Sequence, residues 1–359
     1  MSFRESLANL RDWARHRWLY RKGWFSGGSG GDAFAAAAPA AGGGFFSRLN
    51  RPGLGGIGWR ALVAIVVVVL LYYPIGMLIV NRIDDDPNFT PTGADAIGEG
   101  GSQAVAMMAA LIDREVNENS WTANDPFFQP GSMLDNMPNF QTGIVSALAR
   151  FSFEMTDQVG RMRGSSEADA DLQRAAGLLQ YPGNVWIWNP SVSLAIKASS
   201  ESQYREARKA LIRYNQRLSK GNATFERRSD NLMATLERFA SDLGSQSAVI
   251  DIEVREHSSA FFDSTADDVF YNTKGKLYGY YMILKGLGED FAPVIKERGL
   301  QKNWDQMLDT FRESAALAPL VVMNGAPDAQ ITPSHLAAQG FYLLRARTQL
   351  REIANVLLK

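Results

Sequence analysis

The chain has 359 residues, of which 46% are apolar and 21% charged, enough to build the core of one large domain or two subdomains. It has no cysteine, which excludes disulfides, thiolate nucleophiles and cysteine-ligated metals. The net charge of −1 hides an asymmetry, because residues 1–60 carry +6, residues 61–80 carry no charge and residues 81–359 carry −7. A mildly acidic domain without a concentrated basic face argues against nucleic acid as a partner.

The first 58 residues divide into a basic arm and a glycine-rich stretch. In residues 1–22, apolar side chains recur every three or four positions from Phe3 to Trp18, and the segment carries six Lys or Arg. We expect either a basic amphipathic helix on the cytoplasmic membrane surface or an unstructured arm that supplies only positive charge. Residues 23–58 contain twelve glycines and seven alanines and are expected to form a flexible tether.

Residues 59–81 predict a transmembrane helix. The stretch Ala61–Val80 has twenty residues without a charge, and a helix of about twenty residues spans the roughly 30 Å hydrocarbon core of a bilayer. A buried core helix is rarely apolar on every face over such a length. Trp59 is placed to anchor the helix at the membrane interface, and Pro74 is expected to bend its second half.

The charges on either side predict the orientation of this helix. Arg48, Arg51 and Arg60 precede it, whereas three aspartates, Asp84–Asp86, follow it almost at once. Basic residues stay on the cytoplasmic side, so the N-terminus is expected in the cytoplasm and the C-terminal domain in the periplasm. The segment is longer than the apolar part of a cleaved signal peptide, so we expect a single-pass signal anchor of the bacterial inner membrane.

The rest of the chain predicts a polar connector, residues 82–101, and a periplasmic helical domain, residues 102–359. Good helix formers with apolar residues at helical spacing predict nine helices, and only Val185–Trp188 and Leu320–Met323 look strand-like. The fold class is therefore all-α, one N-terminal transmembrane helix plus an irregular periplasmic helical bundle. The predicted helices are residues 102–118, 139–163, 167–179, 191–220, 222–250, 264–287, 289–298, 302–318 and 332–357.

Apolar patterns also predict how some of these helices pack. Leucines recur every seven residues from Leu336 to Leu357, which predicts a buried seam. The short break after residue 220 predicts that residues 191–220 and 222–250 form an antiparallel hairpin. Aromatic residues are dense around residue 270; core packing is the default interpretation, and a partner or lipid contact is the alternative. The residues of this run are Phe261, Phe262, Phe270, Tyr271, Tyr278, Tyr280 and Tyr281.

Three stretches of the chain resemble a known family. They are YYPIGMLIVNRIDDDPNF (72–89), NSWTANDPFFQPGSMLDNMPNFQTG (119–143) and NWDQMLDTF (303–311). With an anchor followed by a helical domain, the chain resembles domain-of-unknown-function family 2333, a proteobacterial family of single-pass inner-membrane proteins. The resemblance covers most of residues 60–359. It implies the topology and the location, and it supplies no catalytic residue.

Two loops combine aromatic side chains with Asn and Asp, one within residues 119–139 and the other within residues 181–190. Carbohydrate sites stack aromatic faces on sugar rings and bind hydroxyls with Asn or Asp, and peptidoglycan is the nearest glycan in the periplasm. Alternatively, prolines fix these loops while the aromatic side chains plug the ends of the bundle. The candidate residues for binding a glycan or a protein partner are Trp121, Asn124, Asp125, Phe127, Phe128, Asp135, Asn136, Trp186 and Trp188.

Signatures of catalysis and of metal binding are weaker. A glycoside hydrolase needs two carboxylates beside a cleft, and the candidates by proximity in sequence are Glu115, Glu118, Asp125 and Asp135. The acidic surroundings of His257 invite a metal interpretation, but the spacing matches no ligand motif and helix-capping acids explain it equally well. No phosphate-binding loop, dinucleotide fingerprint or nucleophile elbow is present, so no cofactor and no catalytic residue is assigned.

The expected function is that of a membrane-anchored, non-catalytic binding or scaffold protein of the cell envelope. Its expected partners are the lipid bilayer and either an envelope protein or peptidoglycan, not nucleic acid. One alternative is a peptidoglycan-acting hydrolase that uses carboxylates within residues 115–135. The other is a lipid-handling or transport accessory protein, which a dry apolar cavity wide enough for an acyl chain would favour.

Overall fold

The computed structural model describes residues 54–93, 95–96, 100–162, 169–188, 195–257, 264–326 and 332–359. The predicted amphipathic arm, residues 1–22, and the predicted tether up to residue 53 lie outside the described residues. The chain divides into two compact units, Met1–Ala64 and Ile65–Lys359. The second unit contains the later part of the apolar helix and all of the following elements.

The described residues form ten α-helices and no strand, which confirms the all-α prediction. Val185–Trp188 and Leu320–Met323 are irregular, because neither short apolar run has a neighbouring strand with which to pair. The helices are α1 Leu54–Val80, α2 Gln103–Asp113, α3 Asn136–Met162, α4 Ala170–Leu179, α5 Ser200–Ser219, α6 Ser229–His257, α7 Ser264–Asp290, α8 Ala292–Glu297, α9 Gln301–Ala315 and α10 His335–Leu357.

The apolar helix α1 begins at Leu54, so the last five residues of the predicted tether are helical. Its segment Ile57–Val80 is long and apolar enough to cross a membrane, and its apolar surface is not buried inside the protein. Pro74 lies within the helix, as expected. Most side chains of α1 are therefore not removed from water by the protein itself, and a lipid bilayer would bury them.

Helix α7 is the central element of the second unit. It packs against α2, α3 and α9 and also contacts α6, α8 and α10. Tyr278, Tyr280 and Tyr281 are consequently all buried, although they cannot share one helix face. For the described residues of this aromatic run, the default prediction of core packing is therefore confirmed. The alternative of a partner or lipid contact is wrong there, because six other helices pack against α7. Phe261 and Phe262 lie outside the described residues.

The closest helix pair, α3 and α7, meets through small residues. A side-chain carbon added at Gly275 would overlap the backbone carbonyl of Phe140, and one added at Gly143 would overlap the carbonyl of Asn272. Only glycine allows two helix backbones to approach so closely. This contact fixes the N-terminal part of α3, and with it the loop that precedes α3.

The long helices pair differently from the predicted hairpin. The heptad leucines of α10 are buried against α6, which confirms the predicted seam. Helix α5 packs instead against α2 and α4, so the predicted hairpin of residues 191–220 and 222–250 is wrong. The apolar stripe of α6 packs against α10. The irregular residues 220–228 connect α5 to α6 and allow the two helices to pack against different partners.

Two buried cations hold the connector that follows α1. Arg114 is 2% exposed and lies 3.4 Å from Asp84, and Lys274 is 1% exposed and lies 2.7 Å from Asp85. We call these four residues the acidic clamp. A buried cation without an anion costs several kcal/mol, so the clamp ties the connector firmly to α2 and α7.

Further contacts extend the clamp along residues 86–89. The Tyr278 hydroxyl donates to the backbone carbonyl of Asp86 at 2.8 Å and accepts a hydrogen bond from Arg114. The Lys285 ammonium donates to the carbonyl of Pro87 at 2.9 Å. The Arg114 guanidinium also lies over the ring of Phe89. This part of the predicted connector is thus bound to the domain along its length.

Replacing Asp85 with Asn should destabilise the domain by about 2 kcal/mol, because Lys274 stays buried without its anion. Adding Lys274→Met in the same chain should recover part of the loss, since both charges are then removed. Thermal unfolding of the detergent-solubilised full chain measures both effects.

The matched control is Asp86→Asn, the next residue, whose carboxylate accepts the backbone N–H of Asn88. That variant should change stability only slightly, because the contacts of residue 86 with the domain are made by its backbone carbonyl. Equal losses for the variants at 85 and 86 would contradict the clamp.

Candidate functional site

The structure brings the two predicted aromatic loops together. We call residues 119–135 loop A and residues 180–199 loop B, of which 180–188 and 195–199 are described. The indole N–H of Trp121 donates to the carbonyl of Gly183 at 2.8 Å, and the Asn124 amide donates to the carbonyl of Val185, also at 2.8 Å. The loops therefore form one surface beside the start of α5.

Trp121 and Asn124 connect the two loops from inside. Both side chains are buried. Trp121 packs edge-on against Tyr204 with ring centroids 4.9 Å apart, and Asn124 also donates to the carboxylate of Glu201 at 2.8 Å. Their polar groups and ring faces are occupied by the protein, so these two predicted binding residues stabilise the loops and are not available to a ligand.

The remaining aromatic residues of the loops form an exposed surface. Phe127 is 83% exposed, and its ring lies edge-on to Phe128, which in turn contacts the half-buried Trp186 at 5.5 Å between centroids. Ile187 and Trp188 continue the surface, and the amide of Lys197 donates to the carbonyl of Ile187, which brings exposed Ile196 alongside. We call this surface the aromatic patch; it comprises Phe127, Phe128, Trp186, Ile187, Trp188 and Ile196.

Loop A lies directly against the last turns of α1. The Tyr73 hydroxyl donates to the carbonyl of Phe127 at 2.8 Å, and a side-chain carbon at Gly76 would overlap the ring of Pro130. Tyr73, Gly76 and Met77 are half-buried while their neighbours on α1 are exposed, so one stripe of the helix faces the loop. The aromatic patch is therefore adjacent to the apolar helix.

The acidic candidates are separated by the fold. Asp125 is half-buried in loop A, and desolvation, assisted by the charge of Glu201, raises its pKa to about 6. Asp135 and Asn136 face the start of α7 instead, where the Asn136 amide can donate to Asp135 at 3.2 Å and to Asp267 at 2.5 Å. Burial together with the nearby Asp135 raises the pKa of Asp267 to about 6.

Glu115 and Glu118, two of the candidate carboxylates, do not lie together beside a cleft. They lie on a π-helical turn, Arg114–Glu118, that continues α2. Glu115 is completely buried and paired with Arg114 at 2.7 Å, whereas Glu118 is exposed. A carboxylate that neutralises a buried guanidinium cannot reach a substrate, so this predicted arrangement is wrong.

The histidines of the described residues have local partners. His257 Nδ1 lies 3.1 Å from the carboxylate of Glu253 on the same helix. His335 Nδ1 accepts the backbone N–H of Met323 at 2.9 Å and fixes the start of α10. Within the described ranges no group of three His, Asp or Glu is arranged to hold a metal ion, and Asp263 lies outside them.

Sequence reasoning missed an open groove of about 560 Å³ between α3 and the end of α4. Its wall includes Tyr181 and a charged pair, Arg150 and Asp242, at 3.4 Å. Asp242 also accepts the Tyr280 hydroxyl at 2.8 Å and lies 3.2 Å from Lys276. On the sequence these charges look like ordinary polar positions of separate helices, so no local pattern indicated the groove.

The raised pKa of Asp125 predicts a pH effect on stability. Its folded pKa of about 6 exceeds its ordinary value of 3.8, so the stabilising contribution is present below pH 3.8 and is lost as pH rises through 6. Asp125→Asn should therefore raise the unfolding temperature relative to the parent chain at pH 8 and change it little at pH 4.

The control for this comparison is Glu118→Gln, a neutralised acid that is exposed on the preceding turn. Its difference from the parent chain should be small at both pH values. A difference between Asp125→Asn and the parent that does not change between pH 4 and pH 8 would rule out the burial effect.

Comparison with known proteins identifies a family. A family model for an uncharacterized protein conserved in bacteria, DUF2333, matches residues 61–263, more than half of the chain. The matched region contains loops A and B and most of the acidic clamp. No match was found among curated proteins or among solved structures. The resemblance inferred from the sequence is confirmed, and the chain belongs to the bacterial family DUF2333.

Proposed function

We propose that this protein is a membrane-anchored, non-catalytic binding protein of the bacterial cell envelope. Helix α1 crosses the inner membrane, and the domain of residues 102–359 lies on the periplasmic side. The observation that carries the proposal is the acidic clamp, because it attaches the residues just after an apolar helix to the core of the domain. The domain is thereby held at the membrane surface.

The contacts of α1 favour a retained anchor over a removed signal segment. The Tyr73 hydroxyl bonds to loop A, and Gly76 leaves room for Pro130. A segment destined for removal has no need of a fitted contact with the mature domain. These contacts support the assignment of α1 as a permanent part of the folded protein.

The orientation rests on the basic residues before α1. Arg48, Arg51 and Arg60 precede the apolar stretch, and the acidic residues after it contribute little to orientation. Asp84 and Asp85 have a separate structural reason to be acidic, which is the clamp. The arginines therefore favour a cytoplasmic N-terminus.

The contacts of the candidate acids and the presence of a groove support a binding role. Glu115 and Asp135, two of the candidate catalytic acids, interact with neighbouring protein groups. The groove beside α3 has the size of a ligand site, and it offers the ring of Tyr181 and the guanidinium of Arg150, whose side chain is 40% exposed, to a peptide or glycan segment of the envelope. The groove is open and has Arg150 and Asp242 in its wall, so it is not the dry apolar cavity that would favour the lipid-handling alternative.

The location is tested with fusions to the full chain. Alkaline phosphatase fused after Lys359 should be active, because it needs export to the periplasm, and green fluorescent protein fused there should stay dark. The control is the same pair of reporters fused before residue 1, with the opposite result expected. A fluorescent C-terminal fusion with inactive phosphatase would refute the proposed topology.

The hydrolase alternative is tested by zymography of the purified full chain on peptidoglycan. We expect no clearing, since Glu115 and Asp135 are engaged by protein groups and the groove beside α3 has a single acid, Asp242, in its wall, whereas a glycoside hydrolase needs two. Asp125→Asn and Asp135→Asn are the matched variants. Clearing by the parent chain that disappears in either variant would establish catalysis and overturn the binding role.

A further inference from the structure

We infer that the aromatic patch is a second membrane contact, inserted into the periplasmic leaflet of the bilayer that α1 crosses. The inference rests on the proposed membrane anchor and adds a lipid-binding surface to it. Phe127, Phe128 and Trp188 are the side chains that enter the lipid.

The depth of loop A follows from its contacts with α1. At about 1.5 Å per residue, Tyr73 lies roughly 10 Å and Gly76 roughly 6 Å before the end of the helix at Val80. The span Ile57–Val80 is about 36 Å long, so it exceeds a hydrocarbon core of about 30 Å by only about 3 Å at each end. The carbonyl of Phe127, which bonds to Tyr73, is therefore at the level of the lipid chains.

The chemistry of the patch suits the membrane interface. Phe127 is 83% exposed, and Phe128, Ile187, Trp188 and Ile196 are also exposed. Transfer of a large aromatic side chain from water into lipid lowers the free energy, and Trp is favoured at the boundary between headgroups and chains. The patch thus provides what an interfacial anchor requires.

The neighbours of the patch argue against a sugar site. A glycan needs hydroxyl-binding groups beside the stacking rings. Asn124 is buried and bonded to Val185 and Glu201, and Asp135 faces α7. Of the polar partners that the sequence suggests, only the half-buried Asp125 remains in loop A beside the exposed rings, and one carboxyl group is few for a sugar.

The charge of the patch predicts how insertion depends on lipid type. Loop A contains two aspartates and no Lys or Arg, and loop B contains one Lys, Lys197, and no acid, so the two loops together carry a charge of −1. Attraction to anionic headgroups cannot drive the contact, so burial of apolar surface must. Insertion should be the same in zwitterionic vesicles and in vesicles that contain anionic lipid.

The absence of cysteine allows a direct test with single-cysteine variants of the full chain. Phe127→Cys reports on the patch, Leu70→Cys on the exposed surface of α1, and Phe341→Cys on an exposed aromatic position of α10. Each variant is labelled with an environment-sensitive fluorophore and reconstituted in phosphatidylcholine vesicles, with and without phosphatidylglycerol. Quenching by spin-labelled lipid is compared with quenching by aqueous iodide.

We expect the labels at 70 and 127 to be quenched by spin-labelled lipid, and the label at 341 to be quenched by iodide alone. The label at 127 should respond better to lipids spin-labelled on the acyl chain than to lipids spin-labelled on the headgroup, and the result should not change with phosphatidylglycerol. A label at 127 that behaves like the one at 341 overturns the inference, while lipid quenching at 70 leaves the anchor intact. Shielding of residue 127 from both quenchers would indicate a protein partner and also overturns it.

Failure of the anchor gives a different result. If the label at 70 is not quenched by lipid, α1 is not in the membrane and the proposed function fails first. The two failures are therefore distinguished by residue 70, which makes no contact that depends on the aromatic patch.

Discussion

Two buried cations, Arg114 and Lys274, set the constraint on which the rest of the structure depends. Neither can stay charged inside the domain without an anion. From the residues just after α1, Asp85 supplies the anion for Lys274, and Asp84 joins the buried Glu115 beside Arg114. Because α7 is central and α2 packs on it, the clamp joins the end of the apolar helix to the middle of the core. Loop A then lies beside α1, where Tyr73 bonds to the carbonyl of Phe127 and Gly76 makes room for Pro130.

The contacts of the acidic residues bear on the proposed function, because protein groups engage several of them. Glu115 completes the environment of Arg114, and Asp135 joins Asn136 and Asp267 where α3 and α7 begin. Asp242 is shared by Tyr280, Lys276 and Arg150. A carboxylate engaged by a buried cation or hydroxyl has a structural role, and this use of the acids supports the proposed binding role.

The aromatic residues show what composition alone can predict about a binding surface. Aromatic rings and amides distinguish loops A and B in the sequence, and the fold brings the two loops together. Some of the aromatic side chains are buried and stabilise the loops, and others are exposed. Trp121 is inside and holds loop B, whereas Phe127 and Trp188 are outside. The tyrosines of α7, for which an external contact was considered, are all buried because helices surround α7.

The sequence by itself determined the elements whose signal is local. The uncharged stretch of α1, the heptads of α10 and the stripe of α6 are periodicities between residues three to seven positions apart, so they can be read without knowing the fold. Only the tertiary structure decided that α6 pairs with α10, that Asp85 neutralises Lys274 and that a groove opens beside α3. These contacts join residues that are distant in the chain. In the sequence, an aspartate that neutralises a buried lysine cannot be distinguished from an aspartate that is exposed to water.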